Sequence, residues 1–364
     1  MRIHRVWHVL VLLLFCCGTI GFAASGDWQV VLSGLDNPRG LTFGPEGSLY
    51  VAEAGRGGDG PCAPGPEGIR CYGATGAITR FDPRTGAVER VASGLPSLAT
   101  QGAFATGPHD ITVQGRGNTF FTIGFGGDPR ERVNQFGAAG RNFARQGRLT
   151  PNGAWRLTND LGAFEIARNP AGDEIDSNPY GILALPGKQI VADAGANALL
   201  EIRQNGTIRP LATFPNRNVP GIPFPPGMDA VPTSVAVGPD GAYYVGQLTG
   251  FPFPVGGANV YRVPASGGTP QVFASGFTHI IDIAFGPDGS LYVLEIAANG
   301  LLSAFGGNNW TGALIRVAPN GTRTELAAGA LTAPGGLAIA KDGAIYVTNN
   351  SIYSGIGQVL RIQP

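Results

Sequence analysis

Histidine, cysteine and methionine are scarce in this chain, with four, four and two among 364 residues. His4 and His8 fall in the first ten positions, leaving His109 and His279 for a folded domain, too few for a three-histidine zinc site. No GxSxG nucleophile turn, no GxxxxGK[ST] phosphate loop and no GxGxxG run within a strand-to-helix unit is present, so the chain lacks the motifs of serine hydrolases, P-loop enzymes and dinucleotide binders. Charge of one sign is missing too. The 25 basic and 25 acidic side chains cancel, and Arg2 and Arg5 belong to the leader, which leaves no electrostatic footprint for nucleic acid or an anionic membrane. Past the first 25 residues no run has helical period.

What the chain has in quantity is turn formers, 58 Gly and 29 Pro. They punctuate a phrase that recurs six times: PRGLTFGPEGSLYVAE from Pro38, PHDITVQGRGNTFFTIG from Pro108, PYGILALPGKQIVAD from Pro179, PTSVAVGPDGAYYVGQ from Pro232, IIDIAFGPDGSLYVLE from Ile280 and PGGLAIAKDGAIYVTN from Pro334. Each is a short apolar strand, a glycine turn and a strand rich in Tyr, Val and Leu, which together spell a β-hairpin. A second hairpin follows most copies, as in ITRFDPRTGAVERVASG from Ile78, LLEIRQNGTIRPLATF from Leu199, NVYRVPASGGTPQVFASG from Asn259 and ALIRVAPNGTRTELAAG from Ala313. Four antiparallel strands per repeat is the unit of a β-propeller. The sixth unit stops at GQVLRIQP one strand short, while an orphan WQVVLSG stands at residues 28–34. The sequence therefore predicts an all-β fold: one six-bladed β-propeller of four-stranded antiparallel blades over residues 26–364, closed by the N-terminal strand so that no edge is left unpaired.

Residues 1–25 read as a secretory signal removed near residues 23–25: Arg2 and Arg5 precede an apolar stretch over residues 6–15, shorter than a membrane span, and small residues follow. Phe15 is too large to precede a lipoprotein cysteine, so Cys16 and Cys17 leave with the signal. Cys62 and Cys71 remain, close together in a loop with little strand character, and predict a structural disulfide in an exported chain.

Turns within the hairpins are short, whereas the connections on the opposite face, residues 54–77, 95–107, 125–154, 215–231, 248–258 and 297–312, are long. Long loops on a rigid scaffold are where binding and catalysis concentrate, which predicts a pocket at the channel mouth on the long-loop face. Converging there are Arg39, His109, Tyr180, Thr233, Ile281 and Gly335 at the starts of the innermost strands, with Asp110 and Asp282 one step further in. The ends of the second strands add Glu53, Asp193, Gln247, Glu295 and Asn349, with Gly124 breaking the series. The expected ligand-binding set is Arg39, Glu53, His109, Asp110, Tyr180, Asp193, Gln247, His279, Asp282, Glu295 and Asn349. A ring of carboxylates and amides has the oxygen chemistry of a Ca²⁺ site, or else accepts hydrogen bonds from loop amides. His109 and His279 fall on opposing blades, where they could serve as an acid/base pair or satisfy loop carbonyls.

The run GLDNPRGLTFGPEGSLYVAEAGRGGDGPC from Gly34, the GPHDI and NPYGIL openings, LTGFPFPVGGA and GQVLRI resemble the ScyD/ScyE family of exported proteins with NHL-like repeats. The resemblance spans the mature chain. It implies a bacterial periplasmic or secreted six-bladed propeller and no particular reaction. Three functions follow, in order: a binding or scaffold protein whose ligand is a small molecule, glycan or partner protein; a calcium-assisted hydrolase similar to gluconolactonase and strictosidine-synthase propellers; and a quinoprotein sugar dehydrogenase. Nucleic acid is not an expected partner, no membrane span is expected after signal cleavage, and a monomer is expected.

Overall fold

The computed structural model describes residues 28–115, 117–150, 153–219 and 227–363. The predicted signal, with Cys16 and Cys17, lies outside the described residues. The rest forms six antiparallel sheets, five of four strands and one of six, five in a row with the sixth paired at the side, and none closes on itself.

The innermost strands are Pro38–Phe43, Pro108–Gln114, Pro179–Leu185, Pro232–Val237, Ile280–Phe285 and Gly336–Ile339. Each touches the next in sequence order, and the last touches the first. Turn glycines make the hairpins possible: Gly47, Gly241, Gly289 and Gly343 all hold φ between 76° and 88°, a region that costs a side chain dearly. The next strands outward are buried on both faces because neighbouring sheets pack against them, as in Lys188–Asp193, where all but the first residue are buried. Trp28–Leu35 completes the sheet of Gly336–Ile339, Ile345–Asn349 and Gly357–Ile362, with Trp28 opposite Ile362 and Leu35 opposite Gly357.

The structure corrects three expectations. Cys62 and Cys71 are bonded, as predicted, but on strands: Cys62–Gly65 pairs with the long strand Gly68–Phe81, and the two cysteines are direct cross-strand partners. The bond closes a short loop, worth about 2–3 kcal/mol in the chain-entropy account. Within the supposed 125–154 loop lies a strand, Arg145–Leu149, third in its sheet. Helices also occur: Arg132–Phe136, Leu161–Arg168 and Leu301–Gly307 fill long connections. The middle one is capped by Asp160, whose side chain accepts from the Ala163 amide.

Candidate functional site

Proline begins four of the innermost strands, where a missing N–H does least harm, and in five sheets the register with the second strand slips just after this start. The irregularity turns the second residue of the strand inward. Arg39, His109, Tyr180, Thr233 and Ile281 occupy these positions and all are buried. Arg39 donates to the Ala105 carbonyl at 2.7 Å, and the His109 ring lies 4.5 Å from that of Tyr180. Burial and then the Arg39 charge push His109 down to about 3, so its imidazole is neutral across physiological pH; its Nδ1 has no partner among the described residues. Gly124 breaks the polar series because a Cβ there would lie 2.1 Å from the His109 ring.

The polar residues ending the second strands are buried, and each accepts a backbone N–H. Glu53 takes that of Asp36, Asp193 those of Asn178 and Ala196, Gln247 that of Asn259, Glu295 that of Thr278 and Asn349 that of Thr332. Three of these donors, Asp36, Asn178 and Thr278, sit one or two positions ahead of an innermost strand, so the side chains pin the incoming loop onto its sheet. Glu53 also receives both Arg90 and Thr79. Burial raises Asp193 to about 6 and Glu295 to about 7. A hard cation needs free oxygens from several converging ligands. These oxygens face separate loops and are engaged there, and the described residues contain no cluster of three acidic, histidine or cysteine side chains arranged for a metal. The five-residue ring therefore does not fit Ca²⁺.

Asp110 and Asp282 are placed differently. They mark the inner end of a cavity of about 370 Å³ lined by all six innermost strands, from Asp110 and Asp282 out to Phe43, Val237, Phe285 and Ile339 beside the hairpin turns. The cavity occupies the short-turn half of the axis. On the long-loop side Arg39, His109 and Tyr180 are buried, and Phe104, Val231, Leu248 and Phe253 from the connections pack against the cluster that holds Tyr180 and Ile281.

Each aspartate bridges two sheets: Asp110 accepts from Ile111 and Ile182, and Asp282 from Ile283 and Leu337. Gly40 is required beside Asp110, since a Cβ would meet its carboxylate at 2.0 Å. Burial and the Asp282 charge hold Asp110 well above the ordinary carboxylate range, and burial also raises Asp282. Two carboxyls that sense each other's charge resist ionising together, which favours retention of a proton at the inner end of the cavity. The walls are edge strands, whose unpaired backbone N–H and C=O groups add further polar contacts.

The two histidines are not brought together. His279 is buried with a φ of 49°, its Nδ1 2.9 Å from the Leu248 carbonyl and 3.3 Å from Thr249 Oγ1, and its ring against Phe253. Sequence reasoning also missed Glu165, on Leu161–Arg168, whose carboxyl is buried without a partner among the described residues; burial and the charges of Asp193, Asp173 and Asp176 push it up to about 8. Its only sequence signal was an acid within the mostly apolar stretch LGAFEIA.

No protein-family model and no curated protein matches the chain. Solved structures do. A gluconolactonase from Xanthomonas campestris aligns with TM-score 0.55 at 9% identity over 93% of this chain and 92% of its own. The PQQ-bound aldose sugar dehydrogenase from Streptomyces coelicolor gives 0.54 at 13%, over 93% and 98%. Regucalcin from Agrobacterium tumefaciens, a calcium-binding protein, gives 0.51 at 13%, over 93% and 95%. At these identities the likeness is one of fold: an all-β chain of the β-propeller class.

Proposed function

We propose that the chain is a six-bladed β-propeller of the ScyD/ScyE type, closed by its N-terminal strand, and that it is an exported binding or scaffold protein with its ligand seat in the axial channel. The blade number is supported by six copies of one phrase and six sheets, and closure by the pairing of Trp28–Leu35 with Gly357–Ile362. One observation carries the functional reading: Asp110 and Asp282, although each accepts two backbone amides, border a cavity lined by all six innermost strands, whereas the polar groups at the strand ends are buried against the loops they hold. Of the predicted set, Asp110 and Asp282 contact the ligand; Arg39, His109 and Tyr180 form the closed floor beyond them; Glu53, Asp193, Gln247, His279, Glu295 and Asn349 hold the loops. The ligand is a small polar molecule, because the lumen is narrow and walled by strand edges.

Calcium-assisted hydrolysis is the second reading, favoured by the aspartate pair and by likeness to a gluconolactonase and to regucalcin. Here Asp110 and Asp282 would supply the hard oxygens. A thermal-shift screen over Ca²⁺, lactones, sugars and aromatic metabolites separates the readings, since whatever binds only the native state raises its midpoint. The binding reading expects a shift that Asp110→Asn/Asp282→Asn abolishes, with the compound recovered unchanged. A Ca²⁺ shift accompanied by lactone consumption would replace it with the hydrolase. Quinone-dependent sugar oxidation, suggested by the dehydrogenase likeness, is disfavoured because Arg39 and His109 are buried away from the cavity.

Export is proposed with it: a mature chain beginning near residues 24–26 and soluble in the periplasm or medium. Amino-terminal sequencing of that fraction checks this, and an uncleaved product retained in the membrane would contradict it.

A further inference from the structure

Between the second and third sheets, away from the axial channel, lies a groove of about 520 Å³ whose lining holds three arginines, seven Asn and Gln side chains and no carboxylate. Two of the arginines are placed against their own interest. Arg148 and Arg156 are direct cross-strand partners of the antiparallel pair Arg145–Leu149 and Trp155–Asp160. Like charges directly opposite on a sheet destabilise it. Neither arginine meets an acidic side chain among the described residues: Arg148 donates to Asn118 at 2.8 Å and lies 5.7 Å over the Phe120 ring, and Arg156 is exposed. Arg203 reaches the same groove from the neighbouring sheet, paired at 3.0 Å with Glu201, which Lys188 and Arg209 share.

Of the other arginines without a carboxylate partner, Arg39, Arg70, Arg217 and Arg323 each donate to a backbone carbonyl, whereas Arg148 and Arg156 face one another. Arg80, Arg90, Arg132, Arg209, Arg262 and Arg316 are all ion-paired. The amides are also ordered, with Gln146 donating to Gln189 across the sheet boundary and accepting from Asn159. Such a chain of amides presents donors and acceptors side by side, which is what sugar hydroxyls require, while guanidinium forks match a carboxylate or sulfate. The groove falls in the size range of small-ligand sites, roughly 300–1,000 Å³.

We propose that the groove between the second and third sheets binds an anionic glycan, its acid group held between Arg148 and Arg156 and its hydroxyls by the surrounding amides. The bound acid relieves the repulsion that the free protein carries. A nucleic acid is the poorer fit, because the basic patch is local on a chain of zero formal charge.

The test uses the whole mature protein and calorimetric titration with trigalacturonate, its methyl ester and a sulfated galactan trisaccharide at two salt concentrations. Binding of the uronate or the sulfated sugar is expected to weaken as salt rises, and the neutral ester to bind at least tenfold more weakly. Arg148→Gln/Arg156→Gln should lose at least tenfold in affinity while melting no lower than wild type at low salt. Arg156→Gln alone, an exposed change, should lose severalfold. The proposal is overturned if neither acidic sugar binds, if ester and acid bind equally, if the variants bind as wild type, or if a short single-stranded DNA of equal charge binds as tightly as the acidic sugar.

Discussion

A protein beginning at residue 36 should unfold at far lower urea than one beginning at residue 28, losing roughly 5 kcal/mol or more of stability. The deleted segment is an outermost strand, but its loss is not superficial. Leu32 and Leu35 are 8% and 3% exposed and belong to the core that joins the first and last sheets, with Leu41, Val51, Tyr346 and Val359. Each buried leucine is worth about 1.5–3 kcal/mol, and each ladder hydrogen bond about 0.5–1.5 kcal/mol more. The deletion also bares the edge of Gly357–Ile362, so oligomers should appear on sizing columns. Equal urea midpoints for the two proteins would mean that the pairing contributes nothing.

Stability should fall by several degrees of melting temperature between about pH 6.5 and 8.5. Glu165, Glu295 and Asp193 are raised to about 8, 7 and 6, and Asp110 and Asp282 are raised too. A carboxyl whose folded pKa exceeds its unfolded value binds its proton more tightly in the native state. Its contribution is whole below the unfolded pKa and is lost as pH rises through the folded one. His109 and His279 are lowered, and their opposite contribution grows only until about pH 6.5, the ordinary histidine value. Below that pH the two sets oppose each other; above it the carboxyls act alone. Glu165→Gln should flatten the falling limb. A profile that is flat or rising from pH 6.5 to 8.5, or unchanged by Glu165→Gln, would show that these groups ionise freely in the native protein.

The hairpins were legible because turn glycines and alternating apolar residues are local signals, and the pairing of the two ends followed from counting strands. Other elements were hidden for identifiable reasons. Arg145–Leu149 reads RQGRL, too polar for a strand, yet Gly147 sits there because a Cβ would strike the Phe121 ring at 2.2 Å. Cys62–Gly65 reads CAPG and extends only because Gly68–Phe81 and the disulfide hold it. Leu161–Arg168 has eight residues, too few to establish a helical period. At the site, the positions of the polar residues were legible, and acceptance of loop amides was one of the two readings offered for them, but not which amide each would meet. Glu53, Glu295 and Asn349 each accept from an amide 17 residues away, at a loop whose path the repeat does not specify. The cavity beside Asp110 and Asp282 was not legible either, since it depends on how the innermost strands of six different repeats are spaced about one another.

The most direct test of the axial-channel assignment is a crystal structure of the protein bound to the first compound that raises its melting temperature in the thermal-shift screen. The account predicts ligand density in the short-turn half of the channel, in contact with Asp110 and Asp282. Density among Glu53, Asp193, Gln247, Glu295 and Asn349 on the long-loop face, with the channel empty, would contradict it.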